Sequence, residues 1–178
     1  PEAGEDGERA LVAWTTTPWT IPSNAALAIH PDLVYAEVER EGKGLIVAAD
    51  LVARVFGEDA RVVRTWSAAE LIGRRYRRPL DLVPATPAEL EAGWKVVAET
   101  FVSAEDGTGI VHIAPAFGSD DYAAGQRHGL PMLRPIDDDG RFVAGTPVVG
   151  GLFVKAADPL LLDALRDRGA LLRSETVT

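Results

Sequence analysis

The chain has 178 residues and a net charge of −9, from 27 acidic and 18 basic side chains with histidine neutral. A content of 47% hydrophobic and 25% charged residues is that of a globular protein and excludes disordered and fibrous classes, and the length suits one ordinary domain with a real core. Zero cysteines exclude disulfides, thiolate metal sites and a cysteine nucleophile; no apolar run is long enough for a transmembrane helix, and the acidity argues against gripping nucleic acid over a whole face.

The chain opens at Pro1 with no signal or transit pattern. It is expected to be a segment of something longer, or a processed product. Residues 1–8 are acidic and glycine-bearing, a flexible terminus or linker ahead of a single domain over 9–178. Strands are predicted at 10–14 and 25–29, bounded by Pro18, Pro22 and Pro31. Residues 35–40 and 45–48 form a hairpin around Glu41-Gly42-Lys43-Gly44. Asp50 is placed as the N-cap of a helix through Phe56, closed by Gly57. Residues 61–66 predict a strand, and Ser67-Ala68-Ala69-Glu70 a capping box that opens a short helix ending at Gly73. Residues 95–102 and 110–114 predict strands joined by a turn at Glu105-Asp106-Gly107. Ser119 is placed as the cap of a helix to His128, closed by Gly129. Short strands are expected at 133–136, 153–156 and 170–173, and a helix from Asp158-Pro159 to Gly169. The fold class is mostly β with peripheral α-helices, a barrel or sandwich core.

From Arg61 to Arg78 six arginines face one acid, Glu70. The cluster Arg74-Arg75-Tyr76-Arg77-Arg78 is either a charge-protected edge strand or a patch for phosphate, with the edge strand favoured.

Two segments stand out. Residues 14–24 hold four threonines, two tryptophans and two prolines directly after an apolar strand. Pro18 and Pro22 prevent a regular helix or a central strand here, so the backbone leaves the sheet and its freed N–H groups need other partners. Thr15, Thr16, Thr17 and Thr20 serve either a ligand or their own backbone, and Trp19 offers a stacking face. Residues 107–122 run from a glycine turn through a strand and a Pro/Gly loop into a helix start. His112 lies mid-strand on the face opposite to Val111 and Ile113. Asp120 and Asp121 sit where a helix dipole favours carboxylates, either as capping residues or as the receptor of a cation such as an α-ammonium group. No Gly-x-Ser-x-Gly elbow, phosphate loop or dinucleotide fingerprint is present. Three dispersed histidines make a poor metal set, so no metal is expected.

Together these two segments closely resemble the editing (CP1) domain inserted into isoleucyl-tRNA synthetase, whose valyl and leucyl relatives carry homologous insertions. The relatives typically have Thr-Thr-Arg-Pro; here Thr17 stands at the arginine position, and His112 where the valyl pattern tends to carry lysine. Both differences favour the isoleucyl branch. The resemblance implies a closed β-barrel core with surrounding helices. It implies hydrolysis of valyl-tRNA(Ile), and of valyl-adenylate, by an aminoacyl ester hydrolase working inside an isoleucine–tRNA ligase. One methylene gives about 1–3 kcal/mol of discrimination, a magnitude for which this family is itself the standard example; a second pocket supplies the rest. By resemblance Asp121 anchors the substrate ammonium. Thr15, Thr16 and Thr17 line the pocket and donate hydrogen bonds, with a water as nucleophile. His112 blocks the extra methylene of isoleucine, while Trp19, Asn24, Phe117 and Gly118 contact the terminal adenosine or shape the pocket. The implied partners are the aminoacylated 3′ end of tRNA(Ile) and the other domains of the parent synthetase. No cofactor is implied for this domain and no membrane, in a cytoplasmic monomer. The rivals are a non-catalytic tRNA-docking module, a metal-dependent hydrolase and a valyl-type domain that removes threonine.

Overall fold

A computed structural model describes residues 8–176. The expected terminal segment lies outside that range except for Glu8, which already opens strand β1 (Glu8–Leu11). Strand β2 (Ala26–Ile29) is buried at every position. Strands β3 (Val34–Arg40) and β4 (Lys43–Ala48) form the predicted hairpin. Its two-residue turn has positive φ at both Glu41 and Gly42, the twist that suits a right-handed ribbon. Strands β5 (Val62–Ser67), β6 (Lys95–Ala98) and β7 (Ile110–Ile113) complete the set.

The strands make two open sheets, not the closed barrel expected. One sheet has the order β1-β4-β3-β5 and the other β6-β2-β7. Between them lie the isolated bridges of Trp14 with Val111 and Arg75 with Lys95, and backbone hydrogen bonds from Gly73 and Tyr76 N–H to the Val96 and Trp94 carbonyls and from Ala48 N–H to the Thr108 carbonyl. The reason is local. After Val12, whose N–H still reaches the Ile46 carbonyl, the chain turns into the proline-containing stretch and cannot extend a ladder.

The sheets face each other across a core of Leu27, Ile29, Val96 and Ile110 on one side and Tyr35, Ile46 and Trp66 on the other. Helix α1 (Val52–Phe56) covers the back of the first sheet through Val52, against Ala36, Val38 and Val47. Helix α4 (Ser119–His128) covers the back of the second through Ala124, against Ala26, Ala28 and Ile113. Helix α5 (Val154–Asp167) builds a separate core, burying Ala157, Leu161 and Leu165 at four-residue spacing against Leu80, Phe142 and Val149. That core also takes in Trp19 and Ile21 of the proline-containing stretch.

Several expectations are corrected. Asp50 caps nothing: a 3-10 turn (Ala49–Leu51) precedes α1, with Leu51 at the N-cap. Gly118, not Ser119, is the N-cap of α4. Helix α5 begins at Val154, so residues 154–156 are helical and Asp158-Pro159 lies inside the helix, where the buried stripe outweighs the proline. Residues 133–136 and 170–173 hold no strand, and β6 stops at Ala98. Helix α2 (Ala68–Leu71) carries the predicted capping box, and the same pattern in Thr86-Pro87-Ala88-Glu89 opens helix α3 (Pro87–Ala92), which the sequence reading omitted.

One buried charge ties the first sheet together. Glu37 on β3 is almost fully buried and accepts from Arg9 Nε at 3.1 Å and Trp66 Nε1 at 3.0 Å. Its carboxylate occupies the space over Gly44, where an added Cβ would fall 2.0 Å from Oε1. Gly44→Ala must therefore displace a paired buried carboxylate, and urea denaturation is expected to show a loss of about 2–4 kcal/mol.

Candidate active site

The proline-containing stretch folds as a 3-10 helix (Pro18–Ser23) with Thr17 at its N-cap and Pro18 at its first position. Proline fits there because that N–H has no helical partner. The threonines satisfy their own backbone. Thr17 N–H donates to Thr15 Oγ1 at 3.1 Å, and Thr20 sends both its N–H and its hydroxyl to the Thr17 carbonyl at 3.0 and 2.9 Å.

The same residues line an open cleft of about 360 Å³. Thr15, Thr16, Thr17 and Thr20 come from the loop; Val111, His112 and Ala114 come from β7 and its end; Phe117 and Asp121 come from the start of α4. Trp14 also lines it, with its indole seated on Gly107, whose φ is +69° and which has no room for a Cβ. A second cleft, of about 330 Å³, lies among Arg9, Glu37, Lys43 and Arg64, where the carboxylate of Glu37 is already paired.

Asp121 stands in the first turn of α4, and its Oδ2 accepts the Ala114 N–H at 2.9 Å. A Cβ on Gly118 would lie 3.2 Å from Asp121 Oδ1, so glycine lets the backbone lie close against this carboxyl. Burial raises the Asp121 pKa above the usual carboxylate range, neighbouring Asp120 adds to the rise, and the Ala114 amide opposes it. Among the described residues Asp121 has no ion-pair partner. A desolvated carboxyl facing a cleft without a counter-ion is suited to receive a ligand cation.

His112 lies between two polar partners. Asn24 Nδ2 reaches its Nδ1 at 2.8 Å, and its Nε2 lies 3.0 Å from Thr20 Oγ1. Asn24 is itself buried; its Nδ2 also donates to the Ala26 carbonyl at 3.0 Å and its Oδ1 accepts from the Tyr76 hydroxyl at 2.5 Å. These partners fix the amide orientation, so an N–H faces Nδ1, which must be unprotonated. Thr20 spends its only hydroxyl proton on the Thr17 carbonyl, so it accepts from His112 Nε2–H. The Thr17 hydroxyl lies between those of Thr15 and Thr20, at 3.3 and 3.4 Å. Burial depresses the His112 pKa to about 4, which keeps the ring neutral.

The expected site residues are thus divided. Asp121, Thr15, Thr16, Thr17, His112 and Phe117 share the cleft. Gly118 shapes the seat of Asp121. Asn24 stands behind His112, and Trp19 packs edge-on against Phe117 with ring centroids 5.2 Å apart. Thr20 is legible only as one of the four loop threonines, without its contact to His112, and nothing in the sequence marks Tyr76 among its arginines. That cluster is structural. Arg75 binds the carbonyls of Leu90, Glu91 and Gly93 at the end of α3, Arg78 lies 4.5 Å over Trp94 and Arg74 lies 4.8 Å over Trp66. No three histidine, aspartate or glutamate side chains among the described residues converge in a metal-binding arrangement, and none of the described helices is long and apolar enough to cross a membrane.

The depressed His112 pKa has a consequence for stability. Between about pH 6.5 and about pH 4 the unfolded chain takes up a proton that the folded chain refuses. Stability from this group is complete above pH 6.5 and falls as pH drops toward 4. Urea titrations are expected to show wild type losing up to about 3 kcal/mol relative to His112→Gln across that window.

No family model matches the chain. Among characterised sequences, it is 41% identical over 172 residues to the isoleucine–tRNA ligase of Methanothermobacter marburgensis, and 42% identical over 176 residues to that of Clostridium novyi. These alignments take in 97% and 98% of the chain but only 16% of either relative, so the chain spans about a sixth of their length. Among solved structures, GlLeuRS-CP1 superposes with a TM-score of 0.73 over 99% of this chain and 86% of that one, at 18% identity. The P. knowlesi cytosolic leucyl-tRNA synthetase editing domain gives 0.69 over 93% and 84%, at 10% identity. In sequence the chain belongs to the isoleucine–tRNA ligase family, of which it matches one segment, and in fold it is similar to the CP1 editing domains of leucyl-tRNA synthetases.

Proposed function

We propose that this chain is the editing domain of an isoleucyl-tRNA synthetase and hydrolyses the ester of valyl-tRNA(Ile), with valyl-adenylate as a second substrate. The observation that carries this reading is the desolvated, unpaired Asp121 carboxyl on the same cleft as the threonine loop and a neutral His112. The family supplies the chemical setting. One methylene separates valine from isoleucine, and that difference is too small for a single binding step to resolve.

In this reading Asp121 receives the α-ammonium group of the valyl moiety. A charge-assisted hydrogen bond in a partly buried site is strong enough to orient the ligand, and it holds the ester carbonyl at a set reach from the loop. Binding the cation also removes the cost of keeping the carboxylate ionised. A water is the nucleophile. His112 cannot serve as its base, because Nδ1 is occupied by Asn24 and Nε2 carries a proton. The Thr17 hydroxyl, set between those of Thr15 and Thr20, positions the water, while loop N–H groups steady the developing oxyanion. His112 forms the wall that an isoleucyl side chain would meet. Phe117, edge-on to Trp19, holds the end of the cleft toward the terminal adenosine. The tRNA body is gripped by other domains of the parent enzyme, in keeping with the acidity of this segment.

The test is deacylation of valyl-tRNA(Ile) and isoleucyl-tRNA(Ile) by this chain and by the full-length protein. Selective loss of valine is expected; hydrolysis of neither ester by the full-length protein overturns the proposal in favour of a docking module. Asp121→Asn keeps an acceptor for the Ala114 N–H and removes only the charge. It is expected to lower kcat/KM for the valyl ester about 10- to 100-fold without lowering Tm. His112→Ala is expected to admit the isoleucyl ester, with hydrolysis of isoleucyl-tRNA(Ile) rising about tenfold or more; selectivity unchanged from wild type removes His112 from the wall.

A further inference from the structure

We propose that Asp158, on helix α5, is a positioning residue of the cleft: a side-chain oxygen of Asp158 caps the threonine turn at the Trp19 N–H. The activity readout rests on the editing function proposed above; the cap does not.

The turn leaves one donor open. In the 3-10 helix Pro18–Ser23 the N-cap residue, Thr17, makes no side-chain cap bond. Its hydroxyl lies instead between those of Thr15 and Thr20. Pro18 has no N–H, and Thr20 N–H bonds the Thr17 carbonyl at 3.0 Å. What remains is the Trp19 N–H at the second helical position, a place where a cap oxygen ordinarily binds.

The acceptor comes from another element. Asp158-Pro159 has the pattern of a helix start, but α5 begins at Val154, so Asp158 has no helix of its own to cap. It stands inside one, where aspartate is a poor helix former, and it is partly buried, where its charge is costly. Its Oδ1 is sealed from solvent and has no hydrogen-bond partner among the described residues, while its Oδ2 lies 4.0 Å from Lys155 Nζ on the same helix. Against this helix packs the turn, whose Trp19 and Ile21 enter the α5 core. Burial raises the Asp158 pKa; Lys155 and the Trp19 amide, which bears on this carboxyl, oppose the rise and are outweighed. The turn brings no titratable side chain, since residues 17–21 are Thr, Pro, Trp, Thr and Ile. A buried acceptor and a turn donor thus stand across one joint, and pairing satisfies both.

The cap fixes the end of the turn next to Thr15, Thr16 and Thr17. Without it the first turn has one backbone bond fewer to hold it, and the threonines lose their set reach across the cleft. Because burial disfavours the charge, what the turn requires is an oxygen, which asparagine also supplies.

The experiment is ¹H–¹⁵N spectroscopy of the 178-residue chain labelled at tryptophan, with the Trp19 amide assigned by its absence in Trp19→Phe. As pH falls, the wild-type Trp19 amide proton is expected to move upfield, with a midpoint above the ordinary aspartate range; in Asp158→Asn it is expected to stay in place. In deacylation assays of the full-length protein, Asp158→Ala is expected to lower kcat for the valyl ester about tenfold with KM little changed, and Asp158→Asn to keep most of the wild-type rate. A Trp19 amide that does not titrate in wild type overturns the proposal, as does a titration unchanged in Asp158→Asn. So does wild-type kcat in Asp158→Ala, or an Asp158→Asn protein as slow as Asp158→Ala. Should Asp158→Ala not fold, the amide titration of wild type and Asp158→Asn decides alone. If the amide behaves as expected while the full-length wild type hydrolyses neither ester, the editing function fails and the cap stands.

Discussion

A neutral imidazole held between an amide and a hydroxyl is the constraint on which the cleft depends. His112 sits where the two sheets part, on a strand whose neighbours are apolar. Charging it there would confront Nδ1–H with an Asn24 N–H, in surroundings that already disfavour the cation. Satisfying it demands a donor on one side and an acceptor on the other, and the chain supplies both from the stretch 14–24. The turn that presents the threonines and the strand that presents the histidine are thus fixed by the same hydrogen bonds.

Asp121 illustrates two effects acting in opposite directions. The first turn of α4 favours a carboxylate through the helix dipole and the Ala114 amide. Burial and the adjacent Asp120 act against it, and the raised pKa shows that they prevail. The outcome is a carboxyl whose charge is incompletely compensated until a cation arrives. Its position is secured from the far end of α4, where Arg127 and His128 meet the buried Glu99 carboxylate at 2.8 and 2.9 Å. That clamp ties the helix to the end of β6. The proline-containing turn has its own support in α5, whose core takes in Trp19 and Ile21. Cleft residues therefore lie on elements anchored from behind by separate cores.

Local signals were legible in the sequence where one residue decides the outcome. The glycine turn of the β3–β4 hairpin, the capping box at Ser67 and the left-handed Gly129 closing α4 all follow from side chains within a few positions. Proline placement correctly took residues 18–23 out of the sheets. Signals failed where tertiary contacts decide. Asp158-Pro159 has the chemistry of a helix start, yet the helix that buries Ala157, Leu161 and Leu165 begins five residues further back. The barrel expectation failed because sheet closure depends on edge contacts far apart in sequence. The cleft was partly visible: Asp121, His112 and the threonines were named from two segments. Tyr76 was not, since an aromatic flanked by arginines has the pattern of a surface strand and its partner lies 52 positions away.

The seams between the sheets have a mechanical consequence. Each sheet is a cooperative ladder; the Arg75–Lys95 joint carries three backbone hydrogen bonds between residues 73–76 and 94–96, whereas Trp14–Val111 is an isolated pair. One seam runs along the cleft, since Trp14 and Val111 both line it. Opening a lone pair breaks fewer backbone hydrogen bonds than opening a ladder. The cleft is thereby built over a joint that lies outside both ladders. Widening it there would leave the strands bearing its chemistry in register.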